Sequence, residues 1–183
     1  LKVKGLFSEM IKSPTKHLIE SGICPWAISV FSDNAGIVRW DDQLDLCIKV
    51  ETHNSPSALD PYGGALTGIL GVNRDILGCG MGARPIANTN VFCVGDWREI
   101  ENYQIDLPQP LKNPKTILRG IHHGVQDGGN KSGIPTVNGA IVTDANYTGK
   151  PLVYCGTVGA LPPKVNDRET WKKYHRPGDL VVM

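Results

Sequence analysis

The segment Tyr62-Gly63-Gly64-Ala65-Leu66-Thr67-Gly68-Ile69-Leu70-Gly71-Val72-Asn73-Arg74-Asp75-Ile76-Leu77 constrains this chain more than any other stretch. Its apolar residues recur at helical spacing, which predicts a helix over 62–77. Yet each of Gly63, Gly64, Gly68 and Gly71 costs a helix interior about 1 kcal/mol relative to alanine. Such a helix is tolerated where its backbone must approach another group closely. The fold has to bring something against it at short range.

At 183 residues the chain suits one domain of ordinary size. Hydrophobic residues at 40% and charged residues at 20% exclude an extended disordered chain. No apolar run approaches the ~20 residues that span a bilayer, and Leu1-Lys2-Val3-Lys4-Gly5 lacks an apolar signal core, so no membrane association and a cytoplasmic location are expected. With 19 basic against 18 acidic residues, the net charge of +1 speaks against a dedicated nucleic-acid binder. Cys24, Cys47, Cys79, Cys93 and Cys155 are odd in number and lack CxxC spacing, which argues against a disulfide framework or a zinc site.

Along the chain, Ser13-Pro14 followed by Thr15–Glu20 reads as a capped short helix stopped near Gly22. Period-two alternation predicts strands over 26–31 and 44–51, separated by the turn cluster Ser32-Asp33-Asn34-Ala35-Gly36. Further strands are expected over 86–94, 136–143 and 152–161, and residues 97–112 read as a polar surface excursion. Asn113-Pro114 opens a second long helix, with Leu118, Ile121, His122 and Val125 on one face and Asp127-Gly128-Gly129 at its end. This order predicts an α+β fold in which a mixed β-sheet packs on helices. Residues 179–183 read as a strand just beginning. A native domain rarely stops inside a strand, so residues 1–183 are expected to be a single, truncated domain of a longer protein.

Chemistry concentrates in Lys49-Val50-Glu51-Thr52-His53-Asn54-Ser55-Pro56-Ser57, where a strand runs out into a proline-bearing loop. Lys49 and Glu51 share a strand face, and His53 has the same parity. Such an edge could serve a phosphate, a metal and a proton acceptor; it could equally be a salt-bridged strand end with a hydrogen-bonded histidine. Asp75, at the end of the glycine-rich helix, could bind magnesium together with Glu51. Beyond it, Gly78-Cys79-Gly80-Met81-Gly82 either exposes backbone N–H groups to phosphate oxygens or simply ends the helix in a tight turn.

Glu51-Thr52-His53-Asn54-Ser55-Pro56-Ser57-Ala58-Leu59-Asp60-Pro61-Tyr62-Gly63-Gly64-Ala65 resembles the signature of the formylglycinamide ribonucleotide amidotransferase (phosphoribosylformylglycinamidine synthase) family. The resemblance continues through Thr67-Gly68, Arg74-Asp75, Gly82-Ala83-Arg84-Pro85 and Gly133-Ile134-Pro135-Thr136-Val137-Asn138-Gly139. It implies the N-terminal half of the aminoimidazole ribonucleotide synthase-like fold, pairing through sheet edges with a second copy as a homodimer or pseudo-dimer. It also implies a ligase of purine biosynthesis that converts formylglycinamide ribonucleotide to the amidine, using ATP, Mg²⁺ and ammonia from a glutaminase domain or subunit. By the same resemblance His53 matches the catalytic base, and Thr52, Asn54, Ser55 and Arg74 match substrate contacts. Lys49 matches an ATP contact, and Glu51 and Asp75 match magnesium ligands.

Two positions depart from the family pattern. Ser55 stands where the signature has a second histidine, and Ser8-Glu9-Met10-Ile11 stands where the family often reads S-E-H-C. A diverged, non-catalytic nucleotide-binding paralogue, or an ATP-dependent relative acting on another small molecule, is the alternative these departures leave open.

Overall fold

The centre of the fold is an antiparallel ladder between Asp45–Thr52 and Leu152–Leu161, running in register from Asp45 opposite Leu161 to Thr52 opposite Tyr154. The strands in chain order are β1 (Ala27–Ser29), β2 (Gly36–Arg39), β3 (Asp45–Thr52), β4 (Arg84–Val94), β5 (Thr136–Thr143) and β6 (Leu152–Leu161). They join in one sheet ordered β1-β2-β3-β6-β4-β5. Every pairing is antiparallel except β4 with β5, so the sheet is mixed, as expected. A separate hairpin pairs β7 (Lys164–Val165) with β8 (Arg168–Glu169). This computed structural model describes residues 3–182; Leu1, Lys2 and Met183, to which the expectations for the two termini extend, lie outside the described residues.

The helices are α1 (Ser13–Glu20), which continues a π-helical stretch Leu6–Lys12, then α2 (Asn54–Leu59), α3 (Pro61–Leu77), α4 (Trp97–Asn102) and α5 (Pro114–Ser132). Ala65, Ile69 and Val72 of α3 meet Ile117, Ile121 and Val125 of α5 over Phe92, Val94, Val153 and Cys155 of the sheet. This apolar layer, with the smaller cluster of Ile37, Cys47, Ile76, Cys79 and Leu161, holds both helices on one sheet face. All five cysteines are free thiols, and all but Cys24 are buried.

The short-range approach required by α3 is present. A Cβ on Gly64 would lie 2.5 Å from the backbone nitrogen of Ser57 in α2. From the other side, a Cβ on Gly124 of α5 would lie 2.3 Å from the carbonyl oxygen of Tyr62. α3 begins with Pro61 in its first turn and Asp60 accepting from the Gly63 amide at 3.2 Å. It stops at Gly78, whose amide donates to the Arg74 carbonyl.

Elsewhere the structure corrects the sequence-based expectations. Gly36, expected to end the turn cluster, instead opens β2, which runs to Arg39 between β1 and β3. The proline-bearing loop after β3 is helix α2: Pro56 falls in its first turn, where a missing N–H costs nothing. The surface excursion contains α4, capped by the Asp96 side chain accepting from the Arg98 amide. α5 runs through Gly128 and Gly129 and turns only at Gly133, which takes a left-handed φ of 69°. His122, grouped with the apolar face, is exposed. Asp179–Val182 form no strand, and Leu180, Val181 and Val182 lie open to solvent. Among the described residues, no helix is long and apolar enough to cross a membrane.

Candidate functional site

Strand β3 and helix α3 face each other with their chemistry-bearing residues in step. Lys49, Glu51 and His53 alternate onto the helix-covered side of β3. Opposite them, Asp75, Gly71 and Gly68 recur at helical spacing along one side of α3. Lys49 Nζ lies 3.0 Å from Asp75 Oδ2. Glu51 and Gly71 line one cleft, together with Arg74, Asp75 and Asn34. His53 packs on Gly68, where a Cβ would sit 3.2 Å from the histidine Cβ. The glycines let the strand end and the helix close to contact distance, and Gly71 has nothing within 4 Å of its would-be Cβ because the cleft opens there.

The electrostatics centre on Lys49. Its ammonium bridges Asp75 and, at 3.2 Å, Glu51 Oε2. Hydrogen bonding to Asp75, assisted by Glu51, raises its pKa above the ordinary lysine value despite partial burial. Asn34 Nδ2 donates to the other oxygen of Asp75, Oδ1, at 2.9 Å. Asn34 is in turn held by Lys173 Nζ at 3.3 Å from its Oδ1. Its neighbour Asp33 accepts from the Gly80 amide at 2.8 Å and pairs with Lys173.

Beneath the cleft lies a buried polar cluster that sequence reasoning did not find. Asn88 Nδ2 and Thr157 Oγ1 each donate to Asn73 Oδ1 at 2.8 Å. Asn73 directly precedes Arg74 and Asp75 on α3, and Thr157 stands opposite both Lys49 and Asn88 in the sheet register. The cluster therefore ties the helix carrying Asp75 to the strands beside Lys49 in a single register.

The other expected site residues are placed less uniformly. Arg74 is exposed at the cleft rim. His53 is half-buried, with its Nδ1 buried and without a hydrogen-bond partner. Asn54 uses its side-chain oxygen to accept from the Val153 amide at 3.0 Å, which anchors the start of α2 on β6. Ser55 is exposed on α2. Thr52, by strand alternation, lies on the opposite sheet face from Glu51 and is not brought into the cleft. Asn34, by contrast, was read only as part of a turn. The available signal was the run of side-chain hydrogen-bonding residues Ser32-Asp33-Asn34 ahead of a glycine.

The Gly78–Gly82 loop is a turn and not a phosphate cradle. The amides of Gly78, Cys79, Met81 and Gly82 donate to the carbonyls of Arg74, Ile76, Thr170 and Cys79, and the Gly80 amide donates to Asp33. None is left to offer an anion.

The Glu51 and Asp75 carboxylates suit a divalent cation, because the space between them already holds a positive charge, the Lys49 ammonium. Among the described residues no group of three or more His, Cys, Asp or Glu side chains converges. Two carboxylates nonetheless match Mg²⁺, which commonly takes one or two from protein and completes its shell with water and substrate phosphates.

The sequence pattern described as "AIR synthase related protein, N-terminal domain" matches residues 32–161. The phosphoribosylformylglycinamidine synthase subunit PurL of Thermoplasma acidophilum is 39% identical over 158 residues, covering 86% of this chain and 19% of the relative. T. maritima PurL complexed with ADP superposes with a TM-score of 0.62 at 32% identity, covering 91% of this chain and 24% of that one. T. maritima PurL complexed with FGAR gives a TM-score of 0.57 at 34% identity, covering 82% and 21%. The chain thus spans about a fifth of the length of the curated relatives it matches. Since the family pattern covers most of the residues that build the sheet, α3 and the cleft, this chain belongs to the AIR synthase-related family, as an N-terminal domain.

Proposed function

We propose that this chain is the N-terminal ATP-binding domain of a longer amidine-forming ligase of purine biosynthesis. The ligase converts formylglycinamide ribonucleotide to formylglycinamidine ribonucleotide with ATP, Mg²⁺ and ammonia delivered from glutamine by a glutaminase domain or subunit. The observation that carries this reading is the cleft in which Lys49, Glu51, Arg74 and Asp75 come together across β3 and α3. ADP and FGAR bound to relatives of the same fold support the same assignment.

In this reading Glu51 and Asp75 hold Mg²⁺, and Lys49 turns from the carboxylates to the nucleotide phosphates. The cation supplies neutralisation of the charge that builds on the transferred phosphoryl group. Arg74 at the rim orients the substrate, and Asn54 and Ser55 at the start of α2 add to its contacts; Thr52, on the opposite sheet face, takes no part in this cleft. An amide oxygen is a weak nucleophile, so its positioning is worth much of the rate. His53, at the end of β3, handles the proton as ammonia adds and phosphate departs. The sheet face opposite α3 and α5 and the edge strand β5 pair with a second copy or with an equivalent half of the longer chain. Ile48, Val137 and Val142 are exposed there.

A second reading is favoured by Ser55 and by Met10, which is 62% exposed where the family often has a histidine: a paralogue that binds nucleotide without turnover. ADP release by the full-length protein separates the two. Release from ATP and Mg²⁺ that requires both formylglycinamide ribonucleotide and ammonium is expected. Release indifferent to that substrate, or nucleotide binding without release, would overturn the ligase assignment.

A further inference from the structure

We propose that Asn34 is a specificity-determining residue of the cation site, one that confines Asp75 to a single metal-facing oxygen and so favours Mg²⁺ over Ca²⁺. The inference rests on the reading of Glu51 and Asp75 as cation ligands. The two oxygens of Asp75 are engaged differently: Oδ1 accepts from Asn34 Nδ2 at 2.9 Å, whereas Oδ2 faces the Lys49 ammonium at 3.0 Å. Only Oδ2 points at a cation.

The orientation of the Asn34 amide is not arbitrary. Lys173 has only protons to donate, and it lies 3.3 Å from one end of the amide. That end must be the oxygen, which leaves the NH₂ group facing Asp75. Lys173 is fixed in turn by Asp33, whose backbone carries Asn34 and whose Oδ2 is anchored by the Gly80 amide just beyond α3. Asn34 is thus a donor held from behind. It cannot turn its acceptor toward Asp75 without losing Lys173 and setting oxygen against oxygen.

Mg²⁺ requires a tight octahedron and binds through one or two carboxylates with water and phosphate in the remaining positions. Ca²⁺ accommodates a larger shell and readily takes both oxygens of one carboxylate. A hydrogen bond that occupies Oδ1 is compatible with the first geometry and opposes the second. The loop 32–36, which reads from sequence as a mere turn, thereby acts on the choice of cation without touching it.

The test is competition of Mg²⁺ and Ca²⁺ against Mn²⁺ on the full-length protein with the nonhydrolysable nucleotide AMPPCP present, read by the electron paramagnetic resonance of Mn²⁺. Asn34→Ala is expected to shrink the preference for Mg²⁺ over Ca²⁺ by about fivefold, as the loss of one charge-assisted hydrogen bond would. Asn34→Asp, which keeps the Lys173 contact but replaces the donor by a second carboxylate oxygen beside Asp75, should move the preference further toward Ca²⁺. If both variants weaken the two cations in equal proportion, Asn34 is only a structural tie and the proposal is wrong. Asp75→Ala is the separate control: Mn²⁺ binding unchanged in that variant would instead remove the metal reading on which the inference stands.

Discussion

The Lys49 ammonium lies 3.0 Å from the Asp75 carboxylate, which links the middle of β3 to the last turn of α3 across a distance of 26 residues in sequence. Both side chains are about three-quarters removed from solvent, so the pair is screened less than a surface salt bridge. The same lysine touches Glu51, and the three charges form one unit.

Lys49→Met should cost about 1 kcal/mol of stability at neutral pH, because it leaves two neighbouring carboxylates without their cation. The pH dependence has a definite sign. The folded-state pKa of Lys49 lies above the ordinary value of 10.5, held there first by Asp75. Its contribution is therefore complete below 10.5 and is lost as pH rises through the higher folded value. Denaturant midpoints measured across that alkaline range should fall in the parent protein and fall less in Lys49→Met. Parallel curves would show that the lysine adds nothing to the fold.

Asp75→Asn should weaken Mg²⁺-dependent ATP binding by about tenfold or more while sparing binding measured without the metal. Titration calorimetry of the full-length protein with and without Mg²⁺ reads this directly. An unchanged metal-dependent affinity would take Asp75 out of the cation site.

His53→Ala should abolish product formation and leave nucleotide affinity within about threefold of the parent. His53 packs beside Gly68, nearly a turn of α3 before Gly71, and does not itself line the cleft, so its loss need not disturb the nucleotide pocket. Activity and nucleotide affinity falling together would mark a histidine that supports the fold.

Two glycines on one helix should respond in opposite ways to the same added methyl group. Gly64→Ala brings a Cβ to 2.5 Å from the Ser57 nitrogen, which is backbone and cannot swing aside, and about 1–3 kcal/mol of stability should be lost. Gly71→Ala meets nothing within 4 Å and should gain up to about 1 kcal/mol from helix propensity. Because Gly71 lines the cleft, the stabilised variant should bind nucleotide or substrate more weakly. Thermal denaturation and binding isotherms on the two variants suffice. A Gly71→Ala protein that is stabilised and binds normally would show that no ligand comes close to this turn of α3.

The elements legible in the sequence were those with a strong period or a strong cap. α3 and the start of α5 follow from apolar spacing and from proline in the first turn, and β3 from alternation. Elements set by tertiary partners were not legible: β2 is four residues between turns, and α2 begins with polar residues and a proline. The site divides in the same way. Lys49, Glu51 and Asp75 carry chemistry that their residue types announce. Asn34 acquires its role only because a turn 41 residues from Asp75 is folded against it, and no local pattern encodes that distance. Leu180–Val182 show the converse: apolar residues suggest a strand, yet a strand exists only where a neighbour supplies its hydrogen bonds.

The Gly78–Gly82 turn has the composition of an anion cradle, but its amides are committed to carbonyls and to Asp33. Under the proposed function, a polyphosphate in the adjoining cleft would draw on the Lys49 charge and a dissociable cation and not on this turn, and bulk electrolyte attenuates both within a Debye length of about 8 Å at physiological ionic strength. Fixed backbone dipoles would have made retention of the nucleotide nearly indifferent to the medium. On that reading, the ionic composition surrounding the protein would become part of what sets the cleft's occupancy.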